Sequence, residues 1–182
     1  MEPPAVRRVS RTRLARSERR RGRRAFLSDA EASGFTPRVA VKIRIEQAGT
    51  RIADLLAIDP DELVLVRDRV MYADDLPVQL AVSRLPRKLT EGTAIENVDT
   101  GPGGAYARLE EAGYKLTRFA ESVRSRLPTP TESRALRLRE GQHVLAVTRV
   151  AYAGVRPVEV NDMVLTADRY ELVYEIPARS AT

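Results

Sequence analysis

Apolar and polar positions alternate along several stretches of this 182-residue chain. Val39, Val41, Ile43 and Ile45 are separated by polar or small residues, the period-two pattern of a first strand. Ile52, Leu55, Leu56 and Ile58 fall on one face of a helix, which Asp59-Pro60-Asp61 ends. Leu63 to Tyr72 and Pro77 to Leu85 read as two strands joined by the turn Ala73-Asp74-Asp75-Leu76, a hairpin. Thr90 to Thr100 reads as a loop. Gly101-Pro102-Gly103-Gly104 then opens a helix through Ala112, with Tyr106, Leu109 and Ala112 on one side and Gly113 as its C-cap. A long strand follows over Leu116 to Leu127. Pro128-Thr129-Pro130-Thr131 breaks it, and Thr129 or Thr131 caps a short helix through Leu138. After Gly141 come strand Val144–Ala153, turn Gly154-Val155-Arg156, strand Val158–Leu165 and a last strand from Tyr170 to Ile176. A short helix over Phe26 to Ser33, closed by Gly34, precedes the first strand. Hairpins interrupted by a few helices point to an α+β fold with an antiparallel sheet.

The pattern repeats. Arg69-Val70-Met71-Tyr72-Ala73-Asp74-Asp75-Leu76-Pro77-Val78-Gln79 returns 80 positions later as Arg149-Val150-Ala151-Tyr152-Ala153-Gly154-Val155-Arg156-Pro157-Val158-Glu159, with six of eleven columns identical. Upstream, Leu56 aligns with Leu136, Ile58 with Leu138, Val64 with Val144 and Leu65 with Leu145. A period this long exceeds the roughly 20–50 residues of a solenoid unit. It indicates one unit used twice in a single domain, a two-halved fold with room for a ligand between the halves.

Charge divides the chain differently. Residues 1–24 hold ten Arg and two Glu, whereas the remainder holds 21 basic and 23 acidic residues. The surplus of +6 therefore belongs to an N-terminal arm, expected to be disordered or weakly helical because its like charges repel and bury little. That arm contacts nucleic-acid phosphates nonspecifically or is a solvated linker. The folded part is close to neutral and offers no basic nucleic-acid face. There is no cysteine, which excludes a disulfide scaffold and a thiolate metal site. No apolar run reaches the ~18–20 residues of a membrane span, and there is no secretory signal, so a cytoplasmic location without membrane contact is expected. His143 is the single histidine. No Walker, dinucleotide-binding or Gly-x-Ser-x-Gly pattern occurs, so neither a cofactor nor an enzyme activity is expected.

What remains is a set of charged and polar groups at corresponding places. Arg67 and Arg69 lie two apart on one strand and share a face with Leu63 and Leu65. A guanidinium near the interior needs an anion: either a protein carboxylate such as Glu159, Asp162 or Asp168, or a ligand carboxylate or phosphate suited to its bidentate fork. Gly103 and Gly104 stand at the start of the central helix, where free amides attract anions, although taken alone the glycines are better explained as a flexible helix entry. Arg149 repeats Arg69 and Glu159 repeats Gln79. Asp168 caps a turn, and Tyr170 covers an apolar pocket.

Several of these residues together resemble a known family. Arg67-x-Arg69, the turn before Pro77, Ser83-Arg84-Leu85-Pro86, Tyr106-x-x-Leu109, Arg149-x-x-Tyr152, Pro157-Val158-Glu159 and Asp168-Arg169-Tyr170 are similar in order and spacing to the UTRA domain. This is the effector-binding domain of the HutC-like subgroup of GntR transcription regulators. The resemblance covers residues 35–177 and implies a chorismate-lyase-like fold of two pseudo-related halves. In sugar-phosphate-binding members the Arg-x-Arg strand and the start of the central helix hold the phosphate. By resemblance Arg67, Arg69 and the amides near Gly104 form an anion site, with Glu159 and Tyr170 nearby; Arg149, singled out by the repeat, joins them as a candidate effector-binding residue. Two departures stand out: Gly104 occupies a place often held by Ser, and Gln79 one often held by Glu. The resemblance therefore implies a small anionic effector, a sugar phosphate or a carboxylate, and a homodimer.

The expected organisation is an arm with a short helix over 1–34, the effector-binding domain over 35–177 and a tail over 178–182. The winged helix-turn-helix of such regulators is expected to be lacking, which leaves DNA contact to that missing domain or, nonspecifically, to residues 1–24. The alternatives are a chorismate-lyase-like enzyme and nucleic-acid binding through the basic arm. Only the first half carries the extra arginine, since Val147 stands where Arg67 would recur, so one anion pocket per chain is expected, biased towards the first half.

Overall fold

The alternating stretches become a six-stranded antiparallel sheet in the computed structural model, which describes residues 5–9, 14–22 and 25–175. The elements are β1 (Val6–Val9), α1 (Arg16–Arg20), α2 (Ala25–Ala32), β2 (Pro37–Gln47), α3 (Gly49–Leu56), β3 (Leu63–Ala73), β4 (Leu76–Pro86) and α4 (Arg87–Thr90). There follow α5 (Gly104–Glu111), β5 (Leu116–Arg126), α6 (Pro130–Leu136), β6 (Val144–Ala153), β7 (Arg156–Thr166) and β8 (Tyr170–Val173). The large sheet runs β2-β3-β4-β7-β6-β5, so the two halves abut at β4 and β7. The fold is α+β, as expected.

The repeat is visible in fine detail. Each half is strand, helix, strand, strand, and a register irregularity falls at Met71/Tyr72 in one and Ala151/Tyr152 in the other. Both helices end on a left-handed residue, Ala57 (φ 52°) and Arg137 (φ 53°). The Arg38 guanidinium lies 3.7 Å from the Tyr72 ring centroid, and Arg118 stands at the same 3.7 Å from Tyr152. The helices cross over: α3 packs on β7 and α6 on β4, so each half supplies the cover of the other. Thr129 starts α6 with a full capping box, its hydroxyl accepting from the Glu132 amide while Glu132 accepts from the Thr129 amide.

One face of the sheet carries α3, whose Ile52, Ala53 and Leu56 seal Val64, Val66, Val150 and Val160. The other carries two apolar groups. Val6, Phe26, Ala30 and Tyr170 pack on Met71, Val78 and Leu165 at one end; Leu65, Leu85, Ile95, Leu109 and Val158 pack at the other. No helix among the described residues is long and apolar enough to cross a membrane.

Three expectations change. The Arg-rich arm holds a strand: β1 runs parallel to β8, pairing Val6 with Tyr170 and Val9 with Val173. Val6 is 1% exposed and Arg8 2%, so this short segment buries an apolar side chain and a paired guanidinium where the composition suggested only solvated charge. Arg11, Arg13, Arg23 and Arg24, like Ile176 and the tail over 178–182, lie outside the described residues. The loop over Thr90 to Thr100 includes the end of α4 and a helical turn at Ala94–Glu96, because Ile95 is fully buried and Thr93 accepts from its amide. The last strand stops at Val173.

Candidate ligand site

The sheet register sorts the inner face into rows. One row reads Val41, Arg69, Ala81, Met163, Val147, Val123; the adjacent row reads Ile43, Arg67, Ser83, Asn161, Arg149, Glu121. The repeat carries each row onto the other, Val41 onto Glu121, Arg69 onto Arg149 and Ala81 onto Asn161. The scaffold is the same, but one row is apolar except for Arg69, and the other is mostly polar.

The three arginines have different partners. Arg67, 4% exposed, donates from Nη1 to the carbonyls of Ile95 (2.5 Å) and Asn97 (2.5 Å) and from Nη2 to Val98 (3.0 Å). It clamps the segment that walls the site. Burial and the neighbouring Arg69 push its pKa down to about 10, so it stays charged at neutral pH. Arg149 donates from Nε to Glu121 Oε1 (2.7 Å), with Nη2 2.6 Å from the same oxygen but outside hydrogen-bond geometry. Burial works against that cation, but Tyr106 and Glu121 outweigh it and raise the pKa. Arg69 donates to Ser83 Oγ and, at 3.3 Å, to Asn161 Oδ1, both neutral. Its Nε is sealed from solvent without a partner, and among the described residues no carboxylate forms an ion pair with it. Burial lowers its pKa; the Glu159 carboxylate and Tyr106 oppose that in part, and Arg149 adds like-charge repulsion.

Glu159, 3% exposed, accepts from the Tyr106 hydroxyl at 2.5 Å. Burial and then that carboxylate hold the phenol well above its ordinary pKa, so it stays a donor. Burial pushes the Glu121 carboxyl up, but Arg149 and Arg8 together bring it below the ordinary carboxylate value. Arg8 of β1 donates to the same Glu121 oxygen from Nη2, and Tyr174 donates to Oε2 at 3.0 Å.

These groups surround a cavity of about 320 Å³. Arg67, Arg69, Arg149, Glu159 and Asn161 form its floor; Gly103, Gly104 and Tyr106 of the central helix, Val98 to Thr100 and Ala25, Phe26 and Leu27 of α2 form its walls. Six of the seven residues singled out from the sequence thus line one cavity. Tyr170 does not: it is 8% exposed in the core, and its hydroxyl donates to Gln79 Oε1 at 2.9 Å, which orients a cavity-wall amide from behind. The anticipated protein partners of the arginines are elsewhere as well. Asp162 sits on the opposite face with Arg84 and Arg51, and Asp168 accepts from Gln142. The Gly103 amide donates to Gly22 (3.0 Å) and the Gly104 amide to Gly101 (3.2 Å), so the helix-start amides left without an acceptor among the described residues are those of Ala105 and Tyr106, one turn-step further on. Glu121 and Arg8 went unrecognised in the sequence. Glu121 did leave a signal, a carboxylate at the repeat position of the apolar Val41.

The UTRA domain profile matches residues 33–171. An uncharacterized HTH-type transcriptional regulator of Streptomyces coelicolor is 28% identical over 131 residues, 69% of this chain and 49% of the relative. The chain thus spans about half the length of the curated relative it matches. Among solved structures, PhnF from Mycobacterium smegmatis superposes with a TM-score of 0.80 at 21% identity, covering 97% of this chain and 74% of that one. The isolated effector domain of PhnF gives 0.74 at 22% identity, over 84% of this chain and 94% of that one. At such identities these structures establish a shared fold.

Proposed function

Because the chain belongs to the UTRA domain family, we propose that it is the ligand-sensing part of a GntR-type transcription regulator, taking a small anionic effector such as a sugar phosphate or carboxylate. The observation that carries this reading is Arg69: a guanidinium in a cavity of about 320 Å³, held by two neutral groups, with a buried nitrogen unmatched. An unmatched buried donor is costly, and a phosphate or carboxylate oxygen satisfies both its charge and its hydrogen bond. The unused amides of Ala105 and Tyr106 offer further donors at a helix start. Glu159, whose carboxylate can accept beyond its bond from Tyr106, asks the same ligand for a hydroxyl or ammonium group, which fits a phosphorylated sugar or an amino or hydroxy acid.

Effector binding modulates DNA binding elsewhere in such a regulator by shifting its population between two arrangements. A second copy is the partner we assign to the opposite sheet face. There Ala40, Val70, Leu80, Val164 and Ala146 form one continuous apolar ladder in a groove of about 870 Å³. Such strips mark protein interfaces. Sedimentation velocity should find a dimer that Leu80→Glu dissociates; a monomeric wild type removes the dimer.

Titration calorimetry against phosphorylated sugars and small carboxylates tests the ligand reading. Arg69→Ala should bind about 10–150-fold more weakly, as for loss of a charge-assisted hydrogen bond of about 1.5–3 kcal/mol. Equal binding by both proteins sinks it.

A further inference from the structure

The walls of the cavity are not all supplied by the matched family residues. Ala25, Phe26 and Leu27 of α2 precede residue 33, where the match begins, yet they close one side of the site. Phe26 is 6% exposed and packs in one cluster with Val6, Met71, Met163 and Tyr170. The same stretch is tied down at two further points. Gly22 accepts from the Gly103 amide at the entry to the central helix (3.0 Å). Arg8 inserts beneath the cavity, with Nη1 3.8 Å from the sulfur of Met163, itself a cavity residue, and Nη2 donating to Glu121.

Glu121 is the point of contact between this stretch and the site, because a single oxygen, Oε1, accepts from both Arg8 and Arg149. Arg149 lines the cavity and Arg8 belongs to β1. Two cations therefore share one carboxylate, with the cavity on the far side of one of them. An anion placed beside Arg69 and Arg149 would neutralise part of that charge. It would relieve the repulsion between Arg149 and Arg8 and leave more of the Glu121 field to Arg8. A charge balance of this kind has a definite sign: a bound anion favours the docked state of β1, and docked β1 favours the anion by the same factor.

Resting on the ligand reading above, we propose that β1 and the start of α2, residues 6–9 and 25–27, are a working part of the ligand site, with α2 closing its wall and Arg8 reporting its charge through Glu121. Arg8 and Glu121 are positioning residues in this scheme, since neither is assigned a contact with the ligand. Occupancy of the cavity would thereby set how firmly the segment ahead of the matched domain is held.

Amide hydrogen exchange of the whole chain, with inorganic phosphate as probe against chloride at equal ionic strength, tests the proposal. Without phosphate, Arg8→Met should speed exchange of the Val6–Val9 amides at least tenfold while the β3–β4 ladder keeps its protection, which shows that the variant is folded. Unchanged exchange overturns the proposal. In the wild type, phosphate should slow exchange at residues 6–9, and calorimetry should show Arg8→Met binding phosphate about tenfold more weakly, within the range of typical coupling. Glu121→Gln should abolish the phosphate effect on residues 6–9. Persistence of that effect in Glu121→Gln, or its absence in a wild type that binds phosphate, overturns the relay. Arg69→Ala separates the two readings. If it still binds phosphate like the wild type, the ligand reading fails; if it loses phosphate while Arg8→Met does not, the site stands and the coupling falls. A wild type that takes up no phosphate likewise counts against the ligand site, and the relay is then decided by the phosphate-free comparison.

Discussion

Arg69 and Arg149 occupy equivalent positions in the two halves, on equivalent strands, and their fates differ through one neighbour. Opposite Arg149 on the edge strand stands Glu121; opposite Arg69 stands Val41. The second half gives its arginine a direct ion pair, and the first half, among the described residues, does not: Glu159 acts on Arg69 only through its field. A duplicated scaffold thus differs between its halves in the placement of charge: one copy of the row supplies a structural ion pair, the other an arginine that faces Val41 and has an unmatched Nε. The structural pair also matters more for stability, because removing one partner of a buried pair strands the other. An unmatched buried donor such as Arg69 Nε costs stability, a cost that functional sites carry.

The comparison can be broken from either side. Glu121→Val makes the second half resemble the first and removes the carboxylate that Arg8 and Arg149 share; it should cost about 3–5 kcal/mol in urea denaturation. A cost below about 1 kcal/mol would remove the ion pair from the account. Val41→Glu does the reverse and installs a carboxylate opposite Arg69. The fold should survive, with a circular dichroism spectrum like the wild type, while anion affinity falls about 10–150-fold as the internal carboxylate takes the ligand's place. Retained affinity would mean that Arg69 is not the group that holds the ligand.

Acidification does part of the first experiment reversibly. Glu121 titrates below its ordinary value of 4.5, so its pairing stabilises the fold above that pH and is lost as pH falls further. Protection of the Val6–Val9 amides, relative to their intrinsic exchange at each pH, should fall as pH drops below 4.5, ahead of the β3–β4 ladder. Simultaneous loss of both would leave Glu121 with no special hold on β1. The smallest effect concerns what the halves share. Arg38→Ala and Arg118→Ala each delete an exposed cation–π contact of 3.7 Å and should each cost about 0.5–1 kcal/mol. Unequal costs would show that the repeat is less symmetric in energy than in shape.

Much of this arrangement was legible in the chain. The alternation over Val39 to Ile45 and the repeated Arg-Val-x-Tyr-Ala stretch define β2, both hairpins and the two-halved sheet, because an inward side chain at every second position is a local property. The cavity's residues were legible too, since Arg69, Arg149 and Glu159 stand at repeat positions. Their roles were not. Arg67, read as a ligand group, is occupied by the carbonyls of Ile95, Asn97 and Val98, an engagement that depends on how a loop folds back. Arg8 meets Glu121 across 113 residues, and β1 pairs with β8 across the whole fold; no local pattern encodes such distant meetings. An arginine in a run of arginines reads as solvated charge until its partner is seen. Tyr170 shows the opposite error: its place beside the site is real, but its hydroxyl is turned to Gln79 within the core.

The central claim is that duplication leaves one anion site per chain, centred on Arg69. The most direct measurement is the stoichiometry of the tightest anion found by calorimetry, taken for the wild type and for Arg69→Gln. The expected result is one anion per wild-type chain and none, at the same concentrations, in the variant. Two anions per chain, or one retained in Arg69→Gln, would contradict the account.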